Sequence, residues 1–107
     1  NIILDNGHDF LNYFFPGETR KTRSLFSGKG FETVNAALAR SDFEAALTES
    51  MKLTNHPDKL KAAKAGYNCA VLFERKNQPD EARTYLLRSL SLTELWEARY
   101  MLNDLEQ

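Results

Sequence analysis

The sequence predicts an all-α fold: antiparallel helical hairpins stacked as a short repeat bundle over residues 31–107, with a short irregular N-terminal segment over residues 1–30. Three observations carry this. Apolar residues from Phe31 onward recur at spacings of three and four. Two breaks, Arg40-Ser41-Asp42 and Asn77-Gln78-Pro79-Asp80, interrupt that stretch at matched places. Small residues, alanines above all, collect where neighbouring helices would touch.

Taken in order, Ile2 to Leu4 is a short apolar run followed by Asp5-Asn6-Gly7, a turn signal. It ends a strand, or it is a loop leading into HDFLNYFF, where Phe10, Leu11, Phe14 and Phe15 fall at helical spacing. Pro16-Gly17 closes that segment. ETRKTRSLF reads as a short helix and Ser27-Gly28-Lys29-Gly30 as a loop. A first helix follows, marked by Phe31, Val34, Ala37 and Leu38. The second carries Phe43, Ala46, Leu47 and Met51, with Ser41 or Asp42 as its N-cap. Asn55-His56-Pro57-Asp58 opens a third, from about Pro57 to Lys76, since proline is tolerated in a first turn. The fourth spans about Pro79 to Leu92, and the fifth about Glu94 to Leu105.

The third helix carries two apolar stripes. Leu60, Ala63, Tyr67, Ala70 and Phe73 form one; Ala62, Ala65, Cys69 and Leu72 form the other. A helix at the edge of a bundle needs one stripe, so this helix is expected between layers. Ala82 is expected to face Ala70 across the hairpin. Trp96, Tyr100 and Met101 are expected to pack on the fourth helix as a cap, leaving Glu97, Asp104 and Glu106 solvated.

Composition bounds the function. A chain of 107 residues, 42% hydrophobic and 27% charged, is one globular domain. A net charge of −1 supplies no broad attraction for nucleic acid or acidic membranes. No apolar run is long enough to span a bilayer. The single cysteine, Cys69, excludes an internal disulfide and sits where the helical pattern places a buried residue, as an inert thiol. The chain begins at Asn1 without a methionine, which leads us to expect a removed signal peptide or an upstream domain.

Chemistry is sparse. His8 and His56 lack the spacing that puts two ligands on one helix face, so no metal site is expected. His56 is read as part of a helix start. SLFSGKGF departs from the phosphate-loop pattern at both ends, with Arg23 and Gly30 where glycine and Ser/Thr are required. ETRKTR with Lys29 is a local basic cluster, read as a solvated face rather than a nucleic-acid surface. No paired acid and base or activated nucleophile stands out, so no enzyme and no cofactor is expected.

The two hairpins align at an offset of 36 residues, ARSDFEAAL against RKNQPDEAR. The second unit has Gly66, Cys69, Ala70 and Phe73, then Ala82, Leu86 and Ser89, in the spacing of the tetratricopeptide repeat, whose period is about 34. In the first unit Val34, Ala37 and Ala46 fit, and Ser50 stands where an aromatic is usual. Residues 31–107 therefore resemble a tetratricopeptide domain. The order TRKTRSLF, ARSDFEAAL, AAKAGYNCAVLFERKNQPDEA also resembles the C-terminal part of uncharacterised bacterial envelope lipoproteins with such repeats. That resemblance implies an N-terminal β-rich domain, a lipid-anchored signal and a place in the cell envelope.

The tetratricopeptide resemblance implies that the first helix of each pair lines a groove. In some members an Asn with Lys or Arg there holds a peptide carboxylate. Lys61, Lys64, Asn68, Val71 and Arg75 share one arc of the third helix, and Asn68 matches that position. Cations beside an amide suit a carboxylate through charge-assisted hydrogen bonds; a solvated helix face carries such a stripe too. Two function classes follow. One is a non-enzymatic interaction or scaffold module docking a protein or peptide segment, with no nucleic acid and no membrane contact of its own. The other is a structural C-terminal domain with no ligand. A groove filled by the N-terminal FLNYFF segment would favour the second.

Overall fold

The computed structural model describes residues 2–4, 10–14 and 22–106. From residue 31 onward the chain is a bundle of five helices. These are α1 (Glu32–Ala39), α2 (Phe43–Leu53), α3 (Lys59–Arg75), α4 (Pro79–Leu92) and α5 (Trp96–Leu105). No strand lies among the described residues of this region, as the helical periodicity requires.

Local chemistry sets the boundaries. Asp42 caps α2, accepting the Ala45 N–H at 3.1 Å. Asp58 caps α3 through the Leu60 and Lys61 N–H groups at 3.0 and 3.3 Å. That places the start of α3 two residues after Pro57. The His56 Nδ1 accepts the Asp58 N–H at 3.0 Å, so His56 serves the helix start. Pro79 opens α4, where a missing N–H costs nothing.

The two hairpins match at their helix ends. Ser41 follows α1 with φ 58° and Asn77 follows α3 with φ 62°, both left-handed and 36 positions apart. Each break makes the same two bonds. Asp42 N–H reaches Ala37 C=O and Ser41 N–H reaches Leu38 C=O, both at 2.9 Å; Gln78 N–H reaches Phe73 C=O and Asn77 N–H reaches Glu74 C=O, again at 2.9 Å. This is the Schellman motif made twice.

The middle of the bundle is α3, packed on α2 and α4, with α1 against α2 and α5 against α4. Every residue from Ala65 to Phe73 is buried, which accounts for the double apolar stripe. At Gly66, where the tetratricopeptide pattern has a large aromatic, a Cβ would stand 3.3 Å from both the Ser89 Cβ and the Tyr85 carbonyl oxygen. The absent side chain lets α4 approach closely, and Ser89 Oγ donates to the Ala63 carbonyl at 2.7 Å across the gap.

Two expectations are corrected. The N-terminal segment is not simply irregular: β1 (Ile2–Leu4), β2 (Phe10–Phe14) and β3 (Thr22–Phe26) form an antiparallel sheet in the order β1-β2-β3. Phe10 pairs with Phe26, Asn12 with Ser24 and Phe14 with Thr22. TRSLF is therefore a strand and not a short helix. Its alternation is hidden because a charged residue, Arg23, shares the buried set with Leu25. The remaining N-terminal expectations, at Asp5–Gly7, His8, Phe15 and Pro16-Gly17, lie outside the described residues.

The second correction concerns α5. Met101 is buried as expected, but Trp96 is 71% and Tyr100 65% exposed. The face that packs is Leu95, Ala98, Met101 and Leu102. Nor are Asp104 and Glu106 purely solvated: Asp104 pairs with Arg23, and Glu106 with Arg83 at 2.9 Å.

A left-handed serine is strained relative to glycine by about 1 kcal/mol, only part of which glycine loses again through chain entropy. Ser41→Gly should raise the thermal midpoint by a few degrees, worth about 0.5 kcal/mol. Ser41→Val should lower it. Paired thermal denaturation curves check both signs.

Candidate functional site

The face of α3 that the sequence marks as a groove holds the chain's own strand β3. Asn68 is fully buried. Its Oδ1 accepts the Phe26 N–H at 2.8 Å and its Nδ2 donates to the Phe26 carbonyl at 2.8 Å. One side-chain amide thus does what a residue of a neighbouring strand would do, exchanging two hydrogen bonds with a strand main chain. The Tyr67 ring meets the Phe26 ring edge-on, with centroids 5.4 Å apart and planes at 73°. Lys64 Nζ lies 5.1 Å from the Phe26 ring centroid.

The five residues named from the sequence therefore divide. Lys64 and Asn68 hold Phe26. Val71 is fully buried. Arg75 leaves this face: its guanidinium carbon lies 3.7 Å from the Phe43 ring centroid, stacking on the start of α2. Lys61 lies at the opposite end of α3, over the loop before α1.

Around Lys61 is an open cleft of about 210 Å³, where Lys29 and Lys64 join it beside Phe26 and Phe31. Gly30, with φ 96°, lets the loop pass beneath Lys61, whose amine stands 2.6 Å from where a Cβ would be. The Gly30 N–H donates to the Glu32 carboxylate at 3.1 and 3.2 Å. The Glu32 carboxyl is held below its ordinary range by that Gly30 bond first, with Lys61 and Lys29 adding to it. Among the described residues, the one carboxylate that lines the cleft itself is Asp58.

At the other end of β3, Arg23 is buried in an ion triad. Its Nε and an Nη donate to the two oxygens of Glu74 at 2.8 and 2.9 Å, and the same Nη donates to Asp104 Oδ2 at 2.6 Å. Burial alone would weaken the charge on Arg23, but the hydrogen bonds of Glu74 and Asp104 outweigh it and raise the guanidinium pKa. Beside this triad lies a second cleft of about 280 Å³, between β3, Tyr67 and the exposed aromatics of α5. Sequence reasoning missed the triad and Phe26. The one signal available was an arginine at a strand's inward position.

Cys69 is buried, and burial pushes its thiol up to about 12 from about 9. No group of three or more His, Cys, Asp or Glu side chains able to hold a metal occurs among the described residues. No described helix is long and apolar enough to cross a membrane. No protein-family model, curated protein or solved structure matches the chain.

Removing the Asn68 amide strands a buried N–H and a buried C=O, each costing about 1–3 kcal/mol. Asn68→Ala should therefore lower stability by about 2–4 kcal/mol, read by chemical denaturation. Asn68→Asp should be worse at neutral pH, because a carboxylate cannot donate to the Phe26 carbonyl. Its buried acid pKa would be raised, so stability should return as pH falls below that value toward about 4. A pH-independent loss would contradict the two-bond clamp.

The thiol gives a second check. In the folded state Cys69 keeps a proton that the unfolded chain loses above about pH 9. Its contribution to stability is constant below that value and is lost as pH rises through about 12. At pH 8 a thiol reagent should modify Cys69 only at the rate of unfolding.

Proposed function

We propose that this chain is a non-enzymatic scaffold and protein-interaction module of tetratricopeptide type, whose helical groove holds an extended segment by its main chain. The observation that carries the reading is the Asn68–Phe26 pair: two hydrogen bonds of 2.8 Å from one buried amide to a strand backbone. The matched left-handed caps at Ser41 and Asn77 support the repeat assignment. The groove centre is taken in cis, so the helical layer anchors the sheet. A partner meets the surface that remains open, the cleft of Lys29, Lys61 and Lys64. Its chemistry suits an acidic segment or a terminal carboxylate, because three ammonium groups outnumber the Asp58 carboxylate that lines it.

A second reading keeps the same geometry without a partner: a purely structural C-terminal domain of a larger envelope protein. The filling of the groove by β3 favours it, since Asn68 has no amide left to offer.

The two readings separate by titration. A capped acidic hexapeptide with a free C-terminal carboxylate should bind the wild-type chain more tightly at low salt than at high. Lys29→Glu with Lys61→Glu should reduce that binding at least tenfold while barely moving the melting temperature, because such surface charges contribute little to stability. The C-terminally amidated peptide should bind more weakly. If neither peptide binds the wild-type chain at low salt, the structural reading stands.

A further inference from the structure

The second cleft carries different chemistry. Trp96 and Tyr100 stand one turn apart on α5, 71% and 65% exposed. Two bare aromatic rings at that spacing do not serve the core, which α5 supplies from Leu95, Ala98, Met101 and Leu102. Met101 forms the floor and Tyr67 the inner wall. The Tyr67 hydroxyl makes no hydrogen bond among the described residues, although the ring is 4% exposed. Glu97 borders the same space and makes no ion pair among the described residues.

Among the described residues two charged groups line the cleft. Arg23 is one, and its guanidinium is turned to Glu74 and Asp104. Glu97 is the other, a carboxylate that borders the aromatic rings. Burial raises the Tyr67 hydroxyl most; Arg23 lowers it, and Glu97 and Glu74 raise it. Aromatic faces carry negative potential and attract cations, most strongly at tryptophan. A cleft walled by Trp, Tyr and Tyr and edged by the Glu97 carboxylate favours a cation over phosphate or carboxylate.

We infer that the cleft between Trp96, Tyr100, Tyr67 and Glu97 is a binding site for the arginine side chain of a basic peptide segment. A guanidinium is planar, stacks on an indole face and offers paired donors to a carboxylate. Arginine stacked between the rings of Trp96 and Tyr100 would place those donors at Glu97. A space of about 280 Å³ accommodates the guanidinium with its aliphatic stem and is open enough for the peptide main chain to remain outside. The chain already uses this contact, with Arg75 at 3.7 Å over Phe43. The site is independent of the lysine cleft and shares no residue with it.

Trp96 is the single tryptophan of the chain, so its fluorescence reports on this cleft directly. The test titrates the whole chain with a capped Gly-Arg-Gly-Arg-Gly peptide and with its citrulline counterpart, which keeps the shape and loses the charge. The arginine peptide should change the Trp96 emission saturably below about 1 mM, and raising the salt should weaken it. Glu97→Gln should weaken binding at least fivefold, and Tyr100→Ala likewise, with helical content and melting temperature near wild type. Equal responses to the arginine and citrulline peptides would overturn the inference, as would no saturable change up to several millimolar. A Trp96 emission that depends on protein concentration and ignores both peptides would make a second copy of the chain the occupant, and would overturn it too. If Glu97→Gln binds as wild type does, the carboxylate has no part and the site is not the one described.

Discussion

The arrangement turns on one side-chain amide. A strand laid against a helix presents main-chain N–H and C=O groups to a surface that ordinarily cannot pair them, and each group buried unpaired costs about 1–3 kcal/mol. Set against a total stability of about 5–15 kcal/mol for a domain, two such losses are a large share. Asn68 removes both at once, with one acceptor and one donor at 2.8 Å. Only then can Leu25 and Phe26 be buried in the common core. The following loop is drawn in with them: Asn35 Nδ2 donates to the Ser27 carbonyl at 2.6 Å and Phe31 N–H reaches Gly28 at 3.0 Å, which delivers the chain to the start of α1.

The clamp fixes where β3 lies, and Arg23 fixes its register. A slip of one residue would exchange the two faces of the strand. It would move Arg23 off Glu74 and Asp104 and strip a cation that is only 6% exposed of both its ion pairs. Burying an ion cluster is a weak source of stability, because desolvation consumes most of the attraction. Breaking one is expensive, because a lone buried charge remains. The triad therefore discriminates between registers more than it stabilises the correct one. It also ties the sheet to the middle and to one end of the helical layer, through α3 and α5.

The helical half was legible in the sequence because period, caps and breaks all agreed there. Ser41-Asp42 and Asn77–Pro79 mark helix ends by the same physics in both hairpins, and Asp42, Asp58 and Pro79 sit where caps and first turns demand them. The sheet was not legible, for a local reason. Thr22–Phe26 alternates, but its inward set includes an arginine, and an arginine reads as solvated until its two carboxylate partners are known. Those partners lie 51 and 81 residues away in sequence. Asn68 was singled out for its capacity to hold a main chain or a carboxylate. The sequence could not say that the main chain would be its own. Trp96 and Tyr100 misled in the opposite direction: large apolar residues near a chain end suggest a cap, but at i and i+4 they share a face that Ala98 and Met101 do not.

The distribution of charge along α3 follows from the helix itself. Its N-terminus carries the positive end of the macrodipole and its C-terminus the negative end. Glu74 stands in the last turn, where the dipole disfavours a carboxylate, and two near negatives would be costly in a buried position. Arg75 of the same turn lies over Phe43, and β3 brings Arg23 to Glu74. At the first turn the polarity is reversed. Asp58 satisfies the N–H groups, and Lys61, Lys64 and Lys29 exceed it in charge, so the dipole and the side chains add. A net charge of −1 thus conceals a lysine-lined cleft at one end of the bound strand and an aromatic one at the other. An average over the surface cannot identify the partners of such a molecule, because each cleft is set by the few side chains that line it.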